Sequence, residues 1–165
     1  MDGPGTDFDY EAELVIVIGN CVKNISEEEE MSAVFGYTVG NDLSVRDLQT
    51  RTHQWLIGKN VDGSAPNGPF LTTADEVDSS GLSIRSFVNG EKRQEAHTSD
   101  MIYNCAEIVS YISRMMTLLP GDLIFTGTPS GVIAGYPKEK QQWLARGDVV
   151  EVEISGLGRL SNSMV

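Results

Sequence analysis

The chain has 165 residues, 40% of them hydrophobic and 22% charged, which is ordinary for a globular protein and enough length for one core. Its 24 acidic residues against 12 Lys and Arg give a net charge of −12. That field repels phosphate backbones and anionic lipid, so it argues against nucleic-acid and membrane-surface partners, and a small anionic guest would need a local cation.

Met1–Asp9 is acidic and Gly-rich, with no basic region and no apolar signal core, and no apolar run is long enough to span a bilayer. A cytosolic setting fits, with a mitochondrial one open if a targeting segment is missing. Tyr10 to Ile18 reads as a strand that stops at Gly19. Cys21 and Cys105 share no pairing motif and read as two buried thiols. Ser26 followed by Glu27, Glu28 and Glu29 reads as a capping box opening a short helix. Ala33 to Asn41 is a second strand, with Gly36 and Gly40 as close-approach positions. Gly58 to Pro69 is rich in turn residues and reads as a loop.

Leu82 to Val88, Asn89-Gly90 and Glu91 to Gln94 form a hairpin with a type I′ signal. Asn104 to Leu119 is the one long helix; Ile108, Val109, Ile112, Met115, Met116 and Leu119 recur at helical spacing and read as core. Asp122 to Thr126 is a strand leading into Thr126-Gly127-Thr128-Pro129. Asp148 to Ile154 and Leu160 to Val165 close the chain as a strand pair. With no internal repeat or linker, residues 1–165 read as a single domain of α+β class, mainly β, with one main helix.

Glu11 and Glu13 lie two apart on a strand, so they share a face. Side by side at the start of a buried strand they repel each other, and a hard cation with oxygen ligands would relieve that. Spacing alone also fits two solvated acids. Asp42 follows the second strand at a turn; it can present a carboxylate to a cleft or cap the turn. Arg46 and Asp47 read as a structural ion pair. Lys59, between Gly58 and Asn60, is either a ligand contact or a solvated loop lysine. Thr128 offers a hydroxyl beside backbone N–H groups, or marks only a tight turn. The loop lacks the Gly-Lys-Ser/Thr ending of a P-loop, and there is no Gly-x-Ser-x-Gly elbow.

Four blocks carry a resemblance: Asp9-Tyr10-Glu11-Ala12-Glu13-Leu14, Gly36 through Asp47, Gln54-Trp55-Leu56-Ile57-Gly58-Lys59, and Pro120 through Pro129. In this order and spacing the chain resembles the catalytic domain of the fumarylacetoacetate hydrolase family. The resemblance implies a mixed β-roll or β-sandwich fold, a homodimer, and a bound Mg²⁺ (Mn²⁺ or Ca²⁺ as alternatives) on Glu11, Glu13 and Asp42. It implies that Lys59 and Gln49 face the substrate, that Thr128 binds its carboxylate, and that His53 falls near a substrate-contacting position. It implies a small 2-oxo acid or β-dicarbonyl as substrate, of acylpyruvate or oxaloacetate type, undergoing C–C cleavage, decarboxylation or keto–enol isomerisation by metal-assisted enolate chemistry. Family members carry a lid with a His–Glu pair before the Glu-x-Glu strand, and no such pair precedes it here. The expectation is therefore that steps needing no activated water are favoured over hydrolysis. The alternative is a lid-less, catalytically impaired or partner-dependent binding module of the same fold.

Overall fold

Leu14-Val15-Ile16-Val17-Ile18 is apolar at every position, and such a strand has to be covered on both faces. In the computed structural model, which describes residues 5–165, all seven residues of Ala12–Ile18 are buried. Of the acidic start read in the sequence, residues 1–4 lie outside the described residues.

In chain order the elements are β1 (Phe8–Asp9), β2 (Ala12–Ile18), α1 (Glu30–Ala33), β3 (Val34–Asn41), β4 (Ser44–Val45), α2 (Arg46–Gln49) and β5 (Asn67–Thr73). Then come β6 (Ser83–Val88), β7 (Glu91–His97), α3 (Cys105–Met115), β8 (Leu123–Phe125), β9 (Val149–Ile154) and β10 (Gly158–Ser163). One sheet has the order β5-β3-β2-β8 and a second β10-β9-β6-β7, while β1 and β4 form a small ribbon. Every pairing among these strands is antiparallel. The fold is α+β, mainly β, and among the described residues α3 is the one helix longer than a single turn.

The main core lies between the two sheets and α3, where Leu14, Ile16, Tyr37, Ile84, Val109 and Ile154 pack together. Each such buried side chain contributes roughly 1.5–3 kcal/mol. A second cluster of Phe8, Tyr10, Leu48, Val150 and Met164 lies beneath the start of β2. It supports the end of the molecule that carries the acidic residues.

The hairpin forms as expected, with Asn89 and Gly90 at φ 52° and 80°, the positive values a type I′ turn requires. The capping box at Ser26 also forms, opening a 3-10 turn over Glu27–Glu29. β5 lies partly inside the expected Gly58–Pro69 loop. It is a largely exposed edge strand, so no alternation of apolar and polar residues betrays it.

The long helix is shorter than its periodicity predicts. It stops at Met115, and Leu118 instead bridges to Val22. Nor is its apolar stripe all core: Met115, Met116 and Leu119 are 62%, 58% and 52% exposed. The helix buries a face of smaller residues, Cys105, Val109, Ser110 and Ser113. Of the two thiols, Cys105 is buried as expected and burial pushes it up to about 11, but Cys21 is exposed. Among the described residues, no helix is long and apolar enough to cross a membrane.

Candidate active site

Strand β2 is preceded directly by Glu11, and Glu13 follows one residue into it. The register places Glu13 opposite Gly40 on β3. A Cβ at Gly40 would lie 2.5 Å from Val15 Cγ2 and 2.7 Å from Phe125 Cε1, so glycine is what lets β3 pass here. Beyond the ladder, Asp42 N donates to Glu11 O at 2.9 Å, and Asn41 Oδ1 accepts from Glu11 N at 3.1 Å. These bonds bring the third carboxylate to the other two. One carboxylate oxygen from each of Glu11, Glu13 and Asp42 lies within 4.8 Å of the others.

Two cations reach this cluster. Lys59 Nζ donates to Glu11 Oε2 at 2.8 Å and to Asp42 Oδ2 at 2.6 Å. Lys59 ends the 3-10 turn Trp55–Gly58, and a Cβ at Gly58 would lie 2.5 Å from Gln49, so the turn is seated directly on α2. From α2, Arg46 extends Nη2 to Glu11 Oε1 at 2.6 Å and Nε to Asp9 Oδ2 at 2.9 Å. Ser44 Oγ donates to Glu11 Oε1 at 3.1 Å.

Glu13 is paired differently. Its Oε2 accepts from Gly127 N at 2.7 Å, and no Lys or Arg forms an ion pair with it among the described residues. Burial pushes its carboxyl up to about 8, the neighbouring Asp42 and Glu11 add to the rise, and Gly127 and Lys59 oppose it. Burial also raises Asp42, against the pull of Lys59. Two like charges about 4 Å apart repel by roughly 4 kcal/mol at an effective dielectric near 20. The cluster therefore calls for positive charge, and the Lys59 ammonium already stands in for a cation between Glu11 and Asp42. An all-oxygen donor set of three carboxylates suits Mg²⁺, Mn²⁺ or Ca²⁺.

The other expected residues are placed unequally. Gln49 is buried, and its Oε1 accepts from Arg46 Nη1 at 2.9 Å, so it holds the guanidinium that holds Glu11. Thr128 lies on the loop that supplies Gly127 N. Its hydroxyl donates to Ala12 O at 2.9 Å and accepts from Gln94 Nε2 at 2.8 Å. Its one proton is thus committed to the backbone of β2. His53 sits exposed on the bend after α2, outside the hydrogen-bonded network of the described residues.

Three supporting residues escape a reading by motif. Arg46 pairs with Asp9 and Glu11 rather than with Asp47, whose Oδ1 instead accepts from Thr6 N and Asp7 N. Asp9 is fully buried and ties Arg46 to the loop after Thr128. Gln94 is buried on β7 and uses both ends of its amide. Oε1 accepts from Ala12 N and Ser86 Oγ, and Nε2 donates to Thr128 Oγ1 and Pro129 O. A signal for Gln94 exists: it shares the inward-facing phase of β7 with Ala96, and a polar residue at such a position needs partners. The Thr126–Pro129 loop also walls a largely apolar cavity of about 540 Å³, which Leu14, Ile124, Tyr103 and His97 help to line.

Known proteins resemble this chain over most of its length. The fumarylacetoacetate (FAA) hydrolase C-terminal family profile matches residues 3–165. The oxaloacetate tautomerase YisK of Bacillus subtilis is 42% identical, over 96% of this chain and 52% of its own length. The mitochondrial oxaloacetate tautomerase fahd2 of Xenopus laevis is 44% identical, over 96% of this chain and 50% of its own. The chain thus spans about half the length of the curated relatives it matches. The crystal structure of fumarylpyruvate hydrolase from Pseudomonas aeruginosa, in complex with Mn²⁺ and pyruvate, superposes with a TM-score of 0.90 at 40% identity, covering 100% of this chain and 69% of that one.

Proposed function

This chain belongs to the fumarylacetoacetate hydrolase family, and on that premise we propose that it is a metal-dependent enzyme acting on a small 2-oxo acid or β-dicarbonyl. The reaction is C–C cleavage, decarboxylation or keto–enol isomerisation of an acylpyruvate- or oxaloacetate-type substrate. The observation that carries this is the convergence of Glu11, Glu13 and Asp42 within 4.8 Å, with a lysine ammonium bridging two of them.

Glu11, Glu13 and Asp42 would hold the ion, Mg²⁺ by this reading, with Mn²⁺ or Ca²⁺ as substitutes. A divalent ion there supplies Lewis-acid polarisation of the 2-oxo oxygen. Among the described residues Lys59 presents the one amine beside the cluster, and it is the group placed to give a proton to the guest or take one from it. Arg46, itself held by Gln49, shares the charge of Glu11, and Gly127 N keeps Glu13 oriented. Thr128 acts by fixing its loop to β2, through a hydroxyl whose proton goes to Ala12 O. The named activities of the relatives, oxaloacetate tautomerase and fumarylpyruvate hydrolase, support a guest of this chemical class.

A pairing of two copies belongs to the same reading. What supports it is the exposure of the large apolar side chains Tyr111, Met115, Met116, Leu119 and Leu123, on α3 and the segment that follows it.

The test is turnover of oxaloacetate and acylpyruvates with Mg²⁺, in the wild type and in Glu13→Ala. Loss of one charged group that acts at the reacting centre should lower turnover by roughly 10²-fold or more. Equal turnover in the two proteins would sink the assignment.

A further inference from the structure

Asp9 is a carboxylate with no exposure to water, two residues before Glu11. Oδ1 accepts from Tyr10 N at 2.9 Å and from Ile133 N at 2.8 Å. Oδ2 accepts from Ala134 N at 3.0 Å and from Arg46 Nε at 2.9 Å. Four donors on one buried carboxylate satisfy it fully, and they come from different parts of the chain. Through Arg46, Asp9 reaches Glu11. Through Ile133 and Ala134 it reaches the loop whose Gly127 N holds Glu13 and whose Gly131 O accepts from Tyr10 Oη at 2.8 Å.

We infer that Asp9 is a positioning residue that sets the cation-binding strength of the site, by balancing the charge of Arg46 and by pinning the Gly127–Ala134 loop to the start of β2. This rests on the metal reading above. Arg46 sits between two carboxylates, at 2.9 Å from Asp9 and 2.6 Å from Glu11. With a carboxylate at position 9 the guanidinium is shared between two partners, and Glu11 keeps donor strength for a divalent ion. In Asp9→Asn the whole of that positive charge falls on Glu11 and competes with the ion. The same substitution weakens the loop anchor, because an amide cannot accept at both of its ends. A purely fold-holding Asp9 would lower the melting temperature but would leave both the protection of Gly127 and the ion affinity of the folded protein unchanged.

The probe is Mn²⁺ alone, followed by calorimetry on protein shown to be folded by circular dichroism, together with amide hydrogen exchange. Asp9→Asn should weaken Mn²⁺ binding at least fivefold. It should speed exchange at Gly127, Ile133 and Ala134 at least tenfold, while Tyr37–Val39 in the core of β3 stays as it was. Arg46→Gln, which leaves Asp9 its three backbone donors, should do the opposite to the ion and tighten Mn²⁺ at least threefold; this arm decides the matter if D9N does not fold. A folded D9N with wild-type Mn²⁺ affinity, or R46Q binding no tighter, would overturn the inference. If the wild type itself takes no Mn²⁺, the metal reading is what fails. Exchange then judges the loop link alone: unchanged protection of Gly127 in D9N overturns that too.

Discussion

Asp9, Arg46, Glu11, Lys59 and Asp42 alternate in sign along one line that is buried at Asp9 and part-exposed at Lys59 and Asp42, with contacts of 2.6 to 2.9 Å. On the second sheet, Glu151, Arg159, Glu153, Arg85 and Glu95 alternate across neighbouring strands in the same way, at 2.9 to 3.9 Å. The chemistry is alike and the setting is not. The Asp9 side chain is 0% exposed and that of Arg159 is 44% exposed. In the outer ladder each charge can fall back on water, so losing a partner costs little. In the inner line each charge depends on its neighbours, and the line ends on Asp42 with Glu13 beside it and no third cation. The outer ladder closes on a third cation, Lys92 beside Glu95, whereas among the described residues the inner line has no third cation and keeps negative charge left over, which is what a cation site requires.

The sharpest way to break this contrast is Arg46→Gln. Breaking a buried ion pair leaves an uncompensated charge and costs about 3 kcal/mol. Here both Asp9 and Glu11 lose the same guanidinium. The metal-free protein should melt on the order of 10 °C lower, as read by calorimetry. A loss no larger than that of a surface variant would show that the inner line is solvated after all.

Lys59→Met comes next. It removes the ammonium that bridges Glu11 and Asp42. Glu11 keeps Arg46 but Asp42 keeps no cation, and Lys59 is part-exposed, so the metal-free protein should lose about 1–2 kcal/mol. Saturating Mn²⁺ should then raise the melting temperature by more in K59M than in the wild type, since ligand stabilisation grows with affinity. An equal or smaller rise would show that Lys59 and the ion do not share oxygens.

How much of this the sequence discloses depends on which interaction is asked about. The all-apolar run Leu14–Ile18 announces a doubly covered strand, and Asn89-Gly90 announces its hairpin, because both are local signals. Glu11 and Glu13 show a shared face by spacing, and the family resemblance adds Asp42, Lys59, Gln49 and Thr128. The network behind them is not legible, because its partners are distant in the chain. Arg46 ignores the adjacent Asp47 and chooses Asp9, 37 positions away. Gln94 meets Ala12 N across 82 positions. Met115 and Met116 show the opposite failure: helical spacing marks a face as apolar without saying whether anything in this chain covers it.

A third kind of carboxylate sharpens the comparison. Glu30 is buried and pairs with no cation among the described residues, and Tyr37 Oη donates to its Oε1 at 3.1 Å. Burial is the main cause that raises its pKa above the ordinary 4.5, and the Tyr37 bond opposes it. The folded protein therefore holds this proton more tightly than the unfolded chain does. Its contribution to stability is full below the ordinary carboxyl value and is lost as pH rises through the folded one. Glu30→Gln keeps an acceptor for Tyr37 and removes the buried charge. It should raise the melting temperature at pH 7 by about 2–4 °C, on the order of 1 kcal/mol. The gain should shrink as pH falls toward 4.5, the ordinary carboxyl value. A gain that is constant with pH would point to packing rather than charge.

The smallest effect is expected from the outer ladder itself. Arg159 bonds Glu151 and Glu153 and lies 4.9 Å over the Phe87 ring, so it has more partners than a typical surface arginine. Each of those carboxylates remains wet when the guanidinium is removed, and Arg85 still reaches Glu153 and Glu95. Arg159→Ala should therefore shift the melting temperature by less than about 2 °C. Most of that shift should vanish at molar salt, where the screening length falls to about 3 Å. Mn²⁺ affinity should be unchanged, because nothing in the ladder touches Glu11, Glu13 or Asp42. A large, salt-insensitive loss would mean that the two lines of charge are energetically alike, and that burial is not what sets the inner one apart.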